Sequence, residues 1–259
     1  MNLILFEAGE LSWPEHSGGP AHVSLSRRDT RAAHLLKVLR KKEGDGFDAG
    51  VVDGKLGVGT IVETSAAAVR CSLELDTAPP PRTPVRLAAG FSRPIQLRRM
   101  FRDMASLGLS AIDLAGTELG EKSYRDTKLL DDGGARAALL EGAAQARDTR
   151  LPKLALYPSL AVWLAARPWD GDAAGRPMLV AADNVTPAGS FAGLEHGDRA
   201  VLAVGSERGW SGAERELLDR AGFRRLSMGS RALRTETACT AAVILLMEKL
   251  GCLQENCRE

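Results

Sequence analysis

Residues Pro79 to Pro84 read P-P-P-R-T-P, and this run decides how the rest of the chain can be organised. Each proline fixes φ and removes a backbone donor, so neither a helix nor a central strand continues through it. The run reads as a stiff, extended linker. It predicts a first domain over residues 1–78, a linker over 79–84 and a second domain over 85–259.

Hydrophobic patterning differs on the two sides of the prolines. Before them, short β-like runs (Leu3 to Phe6, His22 to Leu25, Gly57 to Val62, Val69 to Leu75) are separated by glycine and aspartate turns, with one helical segment from Thr30 to Arg40. That pattern suggests a small, mostly β barrel. After the prolines, strand candidates run from Val85 to Ala89, Ala111 to Leu114, Leu154 to Tyr157, Met178 to Ala182, Ala200 to Val204 and Phe223 to Ser227. Helices are expected between them, from Ile95 to Leu107, Ala135 to Arg147, Ser211 to Ala221 and Glu236 to Leu250. Strands that are apolar throughout, alternating with helices, imply an α/β domain whose parallel sheet is covered on both faces. In the first of those helices Leu97, Met100, Phe101, Met104 and Leu107 form an apolar stripe, which leaves Arg98, Arg99 and Arg102 outside it.

With 259 residues, 44% hydrophobic and 26% charged, the chain can bury a sizeable core. The start, M-N-L-I-L-F-E, has no basic n-region and too short an apolar run for a signal peptide. No apolar stretch reaches the roughly 18 to 20 residues of a membrane span. A cytoplasmic protein with no membrane partner is expected. Cys71, Cys239, Cys252 and Cys257 are too scattered for a disulfide scaffold, and His16, His22, His34 and His196 show no zinc-binding spacing, so no metal is expected.

The net charge of +1 conceals two basic runs. Residues 23–42 hold Arg27, Arg28, Arg31, Lys37, Arg40, Lys41 and Lys42 against Asp29; residues 82–102 hold Arg82, Arg86, Arg93, Arg98, Arg99 and Arg102 against no acid. Either run alone could be a solvated helix face. Two runs rich in arginine favour phosphate contacts, because the planar guanidinium fork matches phosphate.

Open α/β sheets take ligands at the carboxyl ends of their strands, so the loops there are the places to read. Val204 to Glu214 reads V-G-S-E-R-G-W-S-G-A-E, with Ser211 and Glu214 as a capping box for the next helix. Met228 to Ala238 reads M-G-S-R-A-L-R-T-E-T-A, with Gly229 at a turn and Thr235 as the expected cap of the last helix. The common nucleotide and hydrolase motifs, GxxxxGK[ST], an early GxGxxG and GxSxG, are absent.

Those two segments, following H-L-L-K-V-L-R (His34 to Arg40) and G-D-G (Gly44 to Gly46), resemble the RsmE family of 16S rRNA uridine-N3 methyltransferases of the SPOUT class. The resemblance covers nearly the whole chain. It implies a PUA-like barrel that grips RNA, joined to a trefoil-knotted α/β domain that binds S-adenosylmethionine and pairs as a homodimer. The RNA partner it implies is 16S rRNA or the assembled small ribosomal subunit. Gly229, Leu233, Arg234, Glu236, Thr237 and Ala238 match the family's second glycine loop. On that match Val204, Gly205, Glu207, Gly209, Leu226, Met228, Gly229, Leu233 and Thr237 border the methyl donor. Arg234 orients the target nucleotide or stabilises charge developing on its base, and Glu207 or Glu236 orders the loops. Arg27, Arg28, Arg40, Lys41, Arg93, Arg98 and Arg102 hold flanking RNA backbone. The family's G-P-E-G-G is G-S-E-R-G here, with Ser206 for proline and Arg208 for glycine; its I-L-R has Ala232 for isoleucine, and its E-Q is Ala144-Gln145. A relative methylating another base or a ribose 2′-hydroxyl, and a non-catalytic RNA-binding module, share these features. An ordinary dehydrogenase does not, since L-A-A-G-F-S (Leu87 to Ser92) supplies no dinucleotide fingerprint. The general base is not assigned.

Overall fold

The computed structural model describes residues 3–14, 19–171 and 176–253; His16 and Cys257 lie outside them. The chain forms two compact units, one of Met1–Pro81 with Leu140–Leu151, the other of Arg82–Leu139 with Pro152–Glu259.

In the first unit five strands, β1 (Ile4–Phe6), β2 (Ala21–Ser26), β3 (Gly46–Val51), β4 (Leu56–Thr64) and β5 (Ala68–Thr77), form a mixed sheet in the order β1-β3-β4-β5-β2. The β1–β3 pair is parallel and the others antiparallel. Strict alternation in β2 turns Ala21, Val23 and Leu25 inward and leaves His22, Ser24 and Ser26 exposed. They join Phe6, Leu35, Phe47, Ile61, Val69 and Leu73 in one core. Strand β3 was not anticipated, because its glycines and aspartate read as turn residues. The expected helix from Thr30 is α1 (Thr30–Ala33), capped by the Asp29 carboxylate and continued by a π-helical turn over His34–Val38. Its extra residue per turn seats Leu35 in the core, and Arg40, at φ 54°, ends it.

The linear boundaries also left out Leu140–Leu151, which belongs to the first unit through backbone hydrogen bonds. Leu3 N–H donates to Ala144 O at 3.0 Å, Asp53 N–H to Thr149 O at 2.8 Å and the Thr149 hydroxyl to Gly54 O at 2.5 Å.

The second unit holds a seven-stranded, all-parallel sheet built from β6 (Thr83–Gly90), β7 (Leu109–Ala115), β8 (Lys153–Tyr157), β9 (Met178–Ala182), β10 (Gly189–Ser190), β11 (Ala200–Val204) and β12 (Arg224–Ser227). Its order is β10-β12-β9-β11-β6-β7-β8. Each expected strand is present, and β6 already takes up Thr83 and Pro84 from the end of the linker. The helices are α2 (Pro94–Ser106), α3 (Lys128–Asp131), α4 (Gly134–Ala146), α5 (Leu160–Ala166), α6 (Gly212–Arg220) and α7 (Thr235–Lys249), of which α4 belongs to the first unit from Leu140 onward. The short α3 and α5 were not foreseen.

Both faces of the sheet are covered. On one, α2 buries Leu97, Met100, Phe101 and Met104, four residues of the expected stripe, beside Cys239, Ala242, Val243 and Leu246 of α7, while Leu107 is half-buried at the end of the helix. On the other, α5 and α6 contribute Leu160, Trp163 and Leu218 to a cluster with Ala88, Ala181, Val201 and Ala203, in which the Trp163 and Trp169 rings pack 4.8 Å apart. Between β6 and β7 the Asp113 carboxylate, fully buried, accepts from Arg86 Nε at 2.6 Å and Trp163 Nε1 at 2.8 Å. Burial raises the thiols of Cys71, to about 11, and of Cys239, consistent with inert core cysteines. No helix among the described residues is long and apolar enough to cross a membrane.

Candidate active site

Three neighbouring strands, β12, β9 and β11, end at the same edge of the sheet, and the loops that leave them enclose a cavity of about 250 Å³. The lining comes from Ala182 to Val185 after β9, Val204 to Gly209 after β11, and Met228, Gly229, Arg231, Ala232, Leu233, Thr235 and Ala238 after β12. This is the carboxyl edge, where open parallel sheets take ligands.

The loop after β11 is a tight backbone turn. Gly209 N–H donates to Ser206 O at 2.8 Å, and Gly209 sits at φ 73°, a left-handed conformation that side chains disfavour. A Cβ on Gly205 would lie 2.8 Å from the carbonyl carbon of Gly209, so the two glycines are set by each other. Beyond the turn Trp210 is buried and its Nε1 donates to Ala182 O at 3.0 Å, tying the loop to β9. Ser211 and Glu214 form the expected capping box, and Glu214 Oε1 also accepts from Glu118 N–H at 2.9 Å. The Ser206 hydroxyl is buried and has no hydrogen-bond partner among the described residues.

The loop after β9 is held by one carboxylate. Asp183 accepts from Arg215 Nε at 2.8 Å, Arg225 Nη1 at 3.1 Å and Val185 N–H at 3.0 Å, while its own N–H donates to Leu226 O at 3.0 Å. Burial would raise its pKa; the two guanidiniums and the amide outweigh burial and hold it below the usual aspartate range. Arg225 Nη1 also donates to Thr186 O and Thr186 Oγ1, which fixes the next turn of the same loop.

After β12 the Ser227 hydroxyl accepts from Gly229 N–H at 3.0 Å, and Gly229 turns the chain at φ 110°. Helix α7 begins at Thr235 itself, so the cap position falls to Arg234, whose side chain makes no capping bond. Thr235 therefore lines the cavity as a first-turn residue and is not the cap that was expected.

Of the expected donor-contacting residues, Val204, Gly205, Glu207, Gly209, Met228, Gly229 and Leu233 line this one cavity. Leu226 is wholly buried beneath it and Thr237 faces solvent on α7; neither lines it. Arg234 is exposed at the cavity's edge in sequence, between Leu233 and Thr235. Glu236 is buried, and its Oε2 bonds to no described residue. Sequence reasoning missed Asp183, Asn184 and Val185, although they follow directly on a strand whose carboxyl end was known to matter.

The basic runs divide in the structure. Arg27, Arg28, Arg40, Arg98, Arg99 and Arg102 are exposed and Lys41 is half-buried. Arg31 and Arg86 are instead structural: Arg31 pairs with Glu10 at 2.5 Å and Asp29 at 2.7 Å, and Arg86 with the buried Asp113. Arg93 lies beside the cavity, with its Nε donating to Tyr124 Oη at 3.1 Å and 3.7 Å from Glu207 Oε1.

Residues 79–247 match the RNA methyltransferase domain family. The chain is 38% identical over 254 residues to the ribosomal RNA small subunit methyltransferase E of Treponema pallidum, covering 95% of this chain and 91% of that protein. This chain belongs to that family of RNA methyltransferases. A second relative, ribosomal RNA small subunit methyltransferase E 1 of Borreliella burgdorferi, is 28% identical and covers 96% of this chain and 99% of its own. Among solved structures, the methyltransferase E of Neisseria gonorrhoeae bound to S-adenosyl methionine superposes with a TM-score of 0.73 at 17% identity, covering 96% of this chain and 97% of that one. A putative methyltransferase of Legionella pneumophila, solved with its cofactor, gives 0.74 at 20% identity over 96% and 98%. The methyltransferase thus has the fold of its relatives, a PUA-like curled sheet followed by a SPOUT-type parallel sheet.

Proposed function

We infer that this methyltransferase transfers a methyl group from S-adenosylmethionine to 16S rRNA of the small ribosomal subunit, at N3 of a uridine. The observation that carries the reading is the cavity at the ends of β12, β9 and β11, walled by the two glycine loops, in a member of this family.

The cavity's chemistry suits the donor. Backbone of Gly205 and Gly209 approaches it without intervening side chains, Val204, Met228 and Leu233 supply apolar surface, and Glu207 puts a carboxylate near a ligand whose sulfonium is cationic. The buried Ser206 hydroxyl, which has no partner among the described residues, leaves one polar group for a ligand to satisfy. When bound, S-adenosylmethionine supplies an activated methyl. The chain's residues hold it and bring the acceptor into line, and orientation of that kind can lower a barrier by about 7–11 kcal/mol. Arg234 orients the target nucleotide, and exposed Arg27, Arg28, Arg40, Arg98 and Arg102, with Lys41, neutralise RNA phosphates. The segment Met228 to Ala238 passes through a trefoil knot, and the chain works as a homodimer through α7, whose Ile244 and Leu245 are exposed.

The experiment incubates the protein with isotopically labelled S-adenosylmethionine and small subunits from a strain that lacks it, then digests the RNA and identifies nucleosides by mass spectrometry. Labelled 3-methyluridine is expected. Label in another nucleoside would overturn the acceptor atom, and absence of label together with absence of donor binding would overturn the activity.

A further inference from the structure

We propose that Glu207, Arg93 and Tyr124 form the subsite that reads the imide edge of the target uracil, with Glu207 accepting the proton from N3; the assignment rests on the methyl-transfer reading above.

These residues come from three different loops at the carboxyl edge of the sheet: Arg93 after β6, Tyr124 after β7 and Glu207 after β11. They meet at the cavity, since Glu207 lines it, Arg93 Nε lies 3.7 Å from Glu207 Oε1, and the same Nε donates to Tyr124 Oη at 3.1 Å. The Arg93 side chain is 63% exposed, and its Nη groups make no hydrogen bond among the described residues. A guanidinium whose one side-chain hydrogen bond fixes its stem and leaves its fork open is a recognition group, in contrast to the consumed forks of Arg31 and Arg86.

The Watson–Crick edge of uracil presents an N3–H donor between two carbonyl acceptors. A protein matches it with an acceptor flanked by donors. Glu207 is such an acceptor, with Arg93 on one side and Arg208, which lines the same cavity, next to it in the chain. Cytosine has a bare N3 lone pair that a carboxylate repels, so the same set discriminates between the pyrimidines. The Tyr124 ring, half-buried, gives a base turned out of its stack a surface to lie against.

The proton on N3 and the incoming methyl occupy the same in-plane direction, so the proton leaves first. The N3–H bond breaks and an O–H bond forms on Glu207. The freed N3 electron pair then forms the N–CH₃ bond as the S–CH₃ bond breaks, and the sulfonium becomes a neutral thioether. Carboxylate and sulfonium charges both vanish, and the sum is conserved. Arg93 acts as a positioning residue, holding the carboxylate toward the base through its 3.7 Å pairing.

The test compares wild type, Glu207→Gln and Tyr124→Phe in single-turnover methylation of small subunits lacking the modification, with donor affinity measured by calorimetry on each. At saturating donor Glu207→Gln is expected to slow transfer by about 100-fold to 10,000-fold, a loss that exceeds any change in donor affinity. Its residual rate should climb about tenfold per pH unit toward alkaline pH, as uracil ionises without help, while the wild-type rate is flat there. Tyr124→Phe should raise the KM for RNA severalfold and leave donor affinity unchanged, because Tyr124 does not line the cavity. Transfer by Glu207→Gln at near wild-type rate, or a loss explained entirely by weaker donor binding, overturns the assignment while methyl transfer stands. Wild-type protein that binds donor and yields no methyluridine overturns both.

Discussion

The loops after β9 and β11 face one cavity and each brings a carboxylate to it, yet they leave that carboxylate in opposite conditions. Asp183 is buried, bonded by two arginines and a backbone amide, and its charge is fully committed. Glu207 keeps a single loose pairing with Arg93 and is about one-third exposed. A saturated carboxylate in a dry site builds shape; an unsaturated one at a cavity mouth is available to a ligand. On the proposed mechanism, the difference separates the part of the site that is architecture from the part that does chemistry.

The sharpest way to break this contrast is to remove the saturated group. Asp183→Ala leaves Arg215 and Arg225 without their shared partner and should lower unfolding free energy by about 3–5 kcal/mol, read by urea titration. The sign with pH follows from its depressed pKa. The contribution is present above the unfolded value, near 3.8, and is lost as pH falls through the lower folded value. Asp183→Asn should therefore flatten the acid limb of the stability profile.

Arg234→Ala tests the opposite category. Its side chain is exposed and caps nothing, so stability should hold within about 0.5 kcal/mol, while turnover falls about 100-fold if it stabilises charge on the base. Unchanged turnover with unchanged RNA affinity would remove Arg234 from the site. Smaller again is Gly205→Ala. The added methyl must displace the Gly209 carbonyl, so donor affinity should fall about tenfold, or 1.4 kcal/mol, by calorimetry.

The sequence carried the fold well where local pattern and tertiary role agreed. The stripe of α2, the Ser211–Glu214 box and the apolar strands β9 and β11 are each dictated by neighbours in the chain. The glycine loops were legible because backbone that must approach a ligand has few residue choices. What was not legible depends on partners far away. Nothing local tells Arg86, paired across the sheet to Asp113, from Arg93, whose fork is open. Nothing near Asp183 announces Arg215 and Arg225, which lie 32 and 42 residues along. Strand β3 pairs locally with β4, yet its glycines and aspartate hide it among turn residues, and the segment Leu140–Leu151 joins the first unit through pairings that no window of sequence contains.

The smallest expected effect bears on a departure from the family pattern. Ser206 stands where the resemblance places proline, and its hydroxyl is buried with no partner among the described residues. An unmet buried hydroxyl costs about 1–3 kcal/mol, and its removal returns part of that. Ser206→Ala should therefore raise the unfolding free energy of the free protein slightly, by about 1 kcal/mol or less. With donor bound, the two outcomes diverge. If the hydroxyl serves the ligand, the stabilisation that saturating S-adenosylmethionine confers on wild type should be smaller in the variant, because less binding energy couples to folding. If the increment is the same in both, the serine only fills the turn, and the two loops differ in their carboxylates alone.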